Sequence, residues 1–227
     1  MTRNEQHIDF RVKFNKVNSN KNKSFLPEEI DLFLNDQADR FVEIKTAPAG
    51  NYKNEGFEET QKRLDDVRTI IKEGTTNASD ATGRTLLTLN TFTYGKYIVL
   101  PTNYLKLVSD WSDTSTDCSN HFLTPNRLFS NNRQVQLALK DVFHTTHPKS
   151  PISQLIDNQL RVYEQGFTVA NIHISYIYKY PKISATQDCV LPTHTHREIV
   201  DMAVAKVNSV MNTDNYEKYI NEITKNE

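Results

Sequence analysis

Four histidines stand in two close pairs, His144 with His147 and His194 with His196, and Cys189 lies just ahead of the second pair. Imidazoles and thiolates so placed could hold a zinc ion, and a metal-dependent enzyme using His144, His147, His194 and His196 is one alternative reading. The spacings that fix a tetrahedral site are missing, however. There is no C-x-x-C and no H-E-x-x-H, and His144-Thr-Thr-His147 opens the segment HTTHPKSP, a proline-punctuated stretch expected to be irregular. A hydroxyl nucleophile finds no G-x-S-x-G turn, and neither a Walker loop nor a G-x-G-x-x-G occurs. Paired carboxylates such as Asp65-Asp66 and Glu28-Glu29 sit where amphipathic helices are expected to turn charge to water. Tyr176, Tyr178 and Tyr180 lack the interleaved basic residues of a base-stacking platform. The sequence thus assigns no catalytic, cofactor-binding or metal-ligating residue, implies no cofactor, and reads as a non-enzyme.

Arg11, Lys13 and Lys16, followed by NSNKNKS, make the N-terminal part locally basic. A solvated surface is the plain reading; a DNA-binding factor working through this stretch is the second alternative. Over all 227 residues 27 basic side chains meet 28 acidic ones, so no general affinity for nucleic acid follows. Cys118 and Cys189 are too few and too far apart for a disulfide framework and are expected to be reduced thiols. No apolar leader and no long uncharged run supports secretion or membrane spanning.

The elements that must carry these groups fall in three blocks. Residues 5 to 18 fit a strand through Ile8, Phe10, Val12 and Phe14, or a helix through Phe10, Phe14 and Val17; a helix is preferred. Pro27, Glu28 and Glu29 open a helix whose stripe Ile30, Phe33, Leu34, Ala38, Phe41 and Val42 runs to about Lys45. A third helix is expected from Asn54 through Leu64, Val67, Ile70 and Ile71, closed by Gly74. Then strand character takes over: Gly95–Pro101, Tyr104–Trp111, a loop over Ser112–Asn120, and a short helix over Asn132–Phe143. A hairpin is expected from Leu155–Tyr163 and Phe167–Tyr180 around Gln165-Gly166, with Ile172, Ile174, Tyr176 and Tyr178 facing the core and His173, Ser175 and Lys179 facing water. A helix starts near Thr195, capped reciprocally with Glu198, and carries Ile199, Val200, Ala203, Val204, Val207, Val210 and Met211 on one face. A last helix starts at Asp214.

Grouped helices, strands and helices give an α+β chain: an N-terminal helical part (1–74), an inserted antiparallel β-rich part with a short helix (75–190), and C-terminal helices (191–227) completing a helical bundle.

Five segments in order carry a resemblance: FLPEEIDLFLNDQADRFV, GFEETQKRLDDVRTII, YIVLPTNYLKLVSDW, IHISYIYKYPKIS and CVLPTHTHREIVDMAV. From about Phe25 to Met211 this series resembles the head-to-tail connector, or neck-ring, proteins of tailed bacteriophages, especially the crAss-like group. The resemblance implies a structural virion protein, assembled in the host cytoplasm, whose copies form a ring in the neck with the portal's twelve-fold arrangement. Its implied partners are itself, the portal protein, further neck or tail ring proteins, and genomic DNA passing through the lumen without sequence-specific binding. No membrane is implied.

Overall fold

Proline and a reciprocal side-chain cap decide where the first helices begin. In the computed structural model, which describes residues 1–17, 25–46, 61–116 and 121–211, helix α1 spans Arg3–Val17 and α2 spans Pro27–Thr46. Thr2 Oγ1 accepts from Glu5 N–H (3.3 Å) and Glu5 Oε2 accepts from Thr2 N–H (2.9 Å), a capping box that closes the start of α1. Phe10 and Phe14 point inward and Ile8 and Val12 outward, so the helical of the two periodicities holds. The expected helix over 54–74 is cut short. Only α3, Gln61–Val67, is described; after a 3-10 turn, Ile71 opens strand β1, Ile71–Thr75, and Gly74 lies inside it. Pairing with a later strand outweighs local helix preference across the β-branched Thr69-Ile70-Ile71.

Contacts divide the chain into two compact units, Met1–Ile70 with Tyr180–Glu227, and Ile71–Lys179. The divisions fall ahead of the expected boundaries at 74 and 190. The second shifts because the segment after Pro181 belongs with the helices: Asn35 donates to Ile183 O (2.9 Å) and accepts from Ile183 N–H (2.8 Å), and Tyr180 OH donates to Asp39 (2.9 Å). In the helical unit α1 and α2 both lie against α5, His196–Met211. Ile199, Val200, Ala203, Val204 and Val207 of α5 are buried with Phe10, Phe14, Ile30, Leu34, Ala38 and Phe41, each large side chain contributing about 1.5–3 kcal/mol. The expected Thr195–Glu198 box does not form. A 3-10 turn over Thr193–Thr195 comes first, Thr195 Oγ1 donates to Pro192 O (2.8 Å), and Glu198 pairs with Lys45 (3.0 Å).

The second unit is a sandwich of two five-stranded sheets. Its strands are β1, β2 (Thr85–Leu86), β3 (Leu89–Phe92), β4 (Gly95–Val99), β5 (Tyr104–Ser115), β6 (His121–Pro125), β7 (Arg127–Phe129), β8 (Ile152–Ile156), β9 (Gln159–Tyr163) and β10 (Thr168–Tyr178). One sheet has the order β2-β1-β10-β5-β6 and the other β3-β4-β9-β8-β7. Each is mixed instead of purely antiparallel, because β2 joins β1 and β7 joins β8 in parallel. The expected hairpin also fails: β9 and β10 belong to different sheets, and Gln165-Gly166 carries the chain from one to the other. The real tight turn is Asp157-Asn158 between β8 and β9, with Asp157 at φ 51° and Ile156 paired with Gln159. β5 runs on through Ser112 to Ser115, where a loop was expected, because β10 pairs with it along nearly its whole length. Helix α4, Asn132–Lys140, starts at Asn131, whose side chain accepts from Arg133 N–H.

Helices and strands together make the chain α+β. Among the described residues no helix is long and apolar enough to cross a membrane. The helix expected from Asp214, the loop Ala47–Gly50, Asn54, Phe57 and Cys118 lie outside the described residues.

Candidate functional site

Each candidate histidine is engaged near its own chain neighbours or its own unit. His144 Nδ1 meets Asp141 Oδ2 (2.7 Å), and His147 Nδ1 accepts from Lys149 N–H (3.2 Å) in a small bridged turn with Ser150. His194 Nε2 meets the buried Asp66 (2.9 Å), which Lys45 also approaches (3.6 Å). His196 is buried with Nε2 on Leu191 O (2.7 Å), and burial pushes its pKa down, favouring the neutral ring. Among the described residues no three His, Cys, Asp or Glu side chains converge on a position that could hold a metal ion. Cys189 is half-buried, and burial raises its thiol, which suppresses the nucleophilic thiolate.

One arrangement that sequence reasoning placed in water is a buried relay. His173, expected on the wet face of β10, stacks on Trp111 at 5.8 Å, with Thr75 Oγ1 on its Nδ1 (2.9 Å) and Asp113 Oδ2 on its Nε2 (3.2 Å). Carboxylate, imidazole and hydroxyl in that order are what a hydrolase uses to activate a nucleophile. Here Thr75 is fully buried and its oxygen already accepts from Asn77 N–H (3.2 Å), so the hydroxyl is closed to a substrate. What the relay does is tie β1, β10 and β5 side by side. Trp111 stands directly opposite His173 in the β5–β10 register, a signal visible only once the pairing is known.

A second polar group lies inside the sandwich. Asp110, Ser112 and Thr114 alternate along β5 and are all buried. Asp110 accepts from Asn126 Nδ2 (2.8 Å), and Thr114 donates to Pro148 O (2.6 Å). Burial raises the Asp110 carboxyl, with Ser153 and Asn126 opposing only in part, so protonation is favoured there. The apolar half of the same interior is built from Ile98, Leu160, Val162, Val169, Ile172, Ile174 and Tyr176.

The basic N-terminal residues are partly spent within the fold. Lys13 bridges Asp9 (2.9 Å) and Asp201 (2.6 Å), and Arg11 donates to Phe25 O (3.4 Å).

The fold and its groups therefore define an α+β protein with a helical unit built from the described residues at both ends of the chain and a mixed-sheet sandwich. No family model matches the chain, and no curated protein matches it.

Proposed function

We propose that the chain is a structural, non-enzymatic subunit of a tailed-bacteriophage virion, many copies of which form a ring in the neck that joins portal to tail around the DNA channel. The observation that carries this reading is the ordered series of segments between Phe25 and Met211. Its support from the fold is that the series supplies residues that pack within each unit instead of lining a reactive cleft. From the closing segment Leu191, Pro192, His196, Ile199 and Val200 are buried, and the His196–Leu191 bond fixes the approach to α5. From YIYKYPKIS, Tyr180 and Ile183 dock on Asp39 and Asn35 of α2, and Lys182 pairs with Asp39. From YIVLPTNYL, Leu100 is buried and its N–H reaches Asn158 O (3.0 Å).

A ring subunit must also leave apolar surface for identical neighbours. Both units do so: Ile8, Leu26 and Leu32 are exposed on the helical one, and Leu123, Leu137, Val142 and Phe143 on the sandwich. Electron microscopy of the purified protein, alone and mixed with the portal of the same virion, tests the reading. Rings, or density added beneath the portal, are expected; protein that stays single and never joins the portal contradicts it.

A further inference from the structure

A turn after α4 displays two adjacent apolar side chains to water. Val142 is 85% and Phe143 93% exposed, which for a neighbouring pair costs the fold contact it could have made elsewhere. The turn that holds them is tightly bonded. Asp141 N–H reaches Leu137 O (3.1 Å), Asp141 Oδ1 accepts from Phe143 N–H (2.9 Å), and Asp141 Oδ2 meets His144 Nδ1 (2.7 Å). Arg127 then donates to His144 O (3.0 Å) and Thr145 O (2.8 Å), anchoring the far side. The knob is pre-ordered, so little entropy is lost when it docks.

The helical unit carries an apolar groove of about 480 Å³ floored by Met1, Ile8 and Val12. Ile8 is 62% and Val12 48% exposed. On its rim Glu5 accepts from Thr2 N–H (2.9 Å), Asp9 and Asp201 both pair with Lys13, and Arg197 is exposed and makes no hydrogen bond or ion pair with any described residue. The carboxylate beside the knob is Asp141, which bonds from Phe143 N–H and His144 keep below the usual carboxylate range and hence ionised. Within that rim Arg197 is the cation with no partner among the described residues, so an apolar knob carrying a carboxylate matches the groove in apolar character and matches this one guanidinium in charge.

We infer that Phe143 and Val142 of one copy insert into the Met1–Ile8–Val12 groove of the next, with Asp141 facing Arg197. Knob and groove are different surfaces of one chain, so the contact is heterologous, the kind that closes into a ring when the rotation permits. This rests on the ring reading and names its subunit contact. A single aromatic anchor in an apolar pocket is the usual centre of such an interface.

The test uses the full chain with Cys118 and Cys189 replaced by Ser. Phe143→Cys and Ile8→Cys are prepared separately, mixed at high concentration and oxidised mildly. A two-chain disulfide adduct is expected in the mixture and not in either variant alone. An adduct no more abundant in the mixture overturns the contact, and so does one formed by Ile8→Cys alone, which would mean that groove meets groove. As a second readout, Phe143→Asp is expected to weaken self-association by about 30-fold or more, which is 2 kcal/mol at 1.4 kcal/mol per tenfold. Both residues are exposed, and an unchanged circular dichroism spectrum confirms that the variants fold. Rings unaffected by Phe143→Asp overturn this contact while the neck-ring reading stands. No adduct in the mixture, together with a wild type that neither forms rings nor binds the portal, overturns both.

Discussion

Two buried aspartates, one in each unit, sit in opposite electrostatic settings. Asp31 of α2 is mostly buried, which alone would raise its pKa, but Arg3 (2.7 Å) and His7 (2.8 Å) donate to it and together hold it below the usual range. Asp110 of β5 is buried without a cation and its pKa is raised. The difference teaches how each unit is closed. Helices meet along faces and are fastened at the edges by charge-assisted bonds that join α1 to α2; the sandwich is fastened by its backbone ladders and tolerates a polar stripe within. Linkage separates the two in sign. Asp31, with a depressed folded pKa, stabilises fully above its unfolded value of about 3.9, and that stability is lost as pH falls through the folded value. Asp110, with a raised folded pKa, stabilises most below about 3.9 and loses its contribution as pH rises through the folded value.

Asp31→Asn sharpens the contrast most. It leaves the Arg3 guanidinium without its bidentate partner and is expected to cost about 3 kcal/mol, seen as faster hydrogen exchange in α1 and α2. Exchange unchanged in those helices would break the claim that this pair fastens them. Next comes Gly95→Ala at the β3–β4 turn. A Cβ there would sit 2.1 Å from Val162 O, and the chain has φ +157°, so a loss of about 2 kcal/mol is expected, read as lowered protection across β4 and β9. The smallest effect has the opposite sign. Asp110→Asn removes a buried ionisable group, and the variant is expected to gain about 1 kcal/mol near neutral pH and to lose that advantage below about pH 4. A variant less stable than wild type at pH 7 would show that Asp110 is ionised and well matched in the folded chain.

Sequence alone makes the helical faces legible. The stripes of α2 and α5 hold at Ile30, Leu34, Ala38, Phe41 and Val42 and at Ile199, Val200, Ala203, Val204 and Val207, with Phe33 half-buried and the side chains of Val210 and Met211 outside the described residues, because a continuous apolar face of that length has few ways to be buried. In α1 two periods compete, and only packing selects Phe10 and Phe14 over Ile8 and Val12. The sheets were less legible for a reason of range. Gln165-Gly166 and Asp157-Asn158 both have local turn chemistry, with Gly166 at φ 70° and Asp157 at φ 51°, and nothing local says that the first crosses between sheets while the second closes a hairpin. Alternation along β10 predicts Ile172, Ile174 and Tyr176 inside, and they are, but it does not predict that Ile177, on the alternate positions, is fully buried as well. The burial of His173 depends on Trp111 and Asp113, some sixty residues earlier, and that of Asp110 on Asn126 and Ser153. Such partners are set by strand order, which spacing does not encode. As for chemistry, the four candidate histidines form no site in the sequence, and their contacts in the fold are with near neighbours and Asp66.

The mass of the particle in solution bears on the central claim most directly. Native mass spectrometry of the intact chain, alone and with the portal, is expected to give a closed assembly whose mass is a fixed multiple of 26.2 kDa, or a portal complex carrying such a multiple. A single 26.2 kDa species at every concentration, unchanged when portal is added, would contradict it.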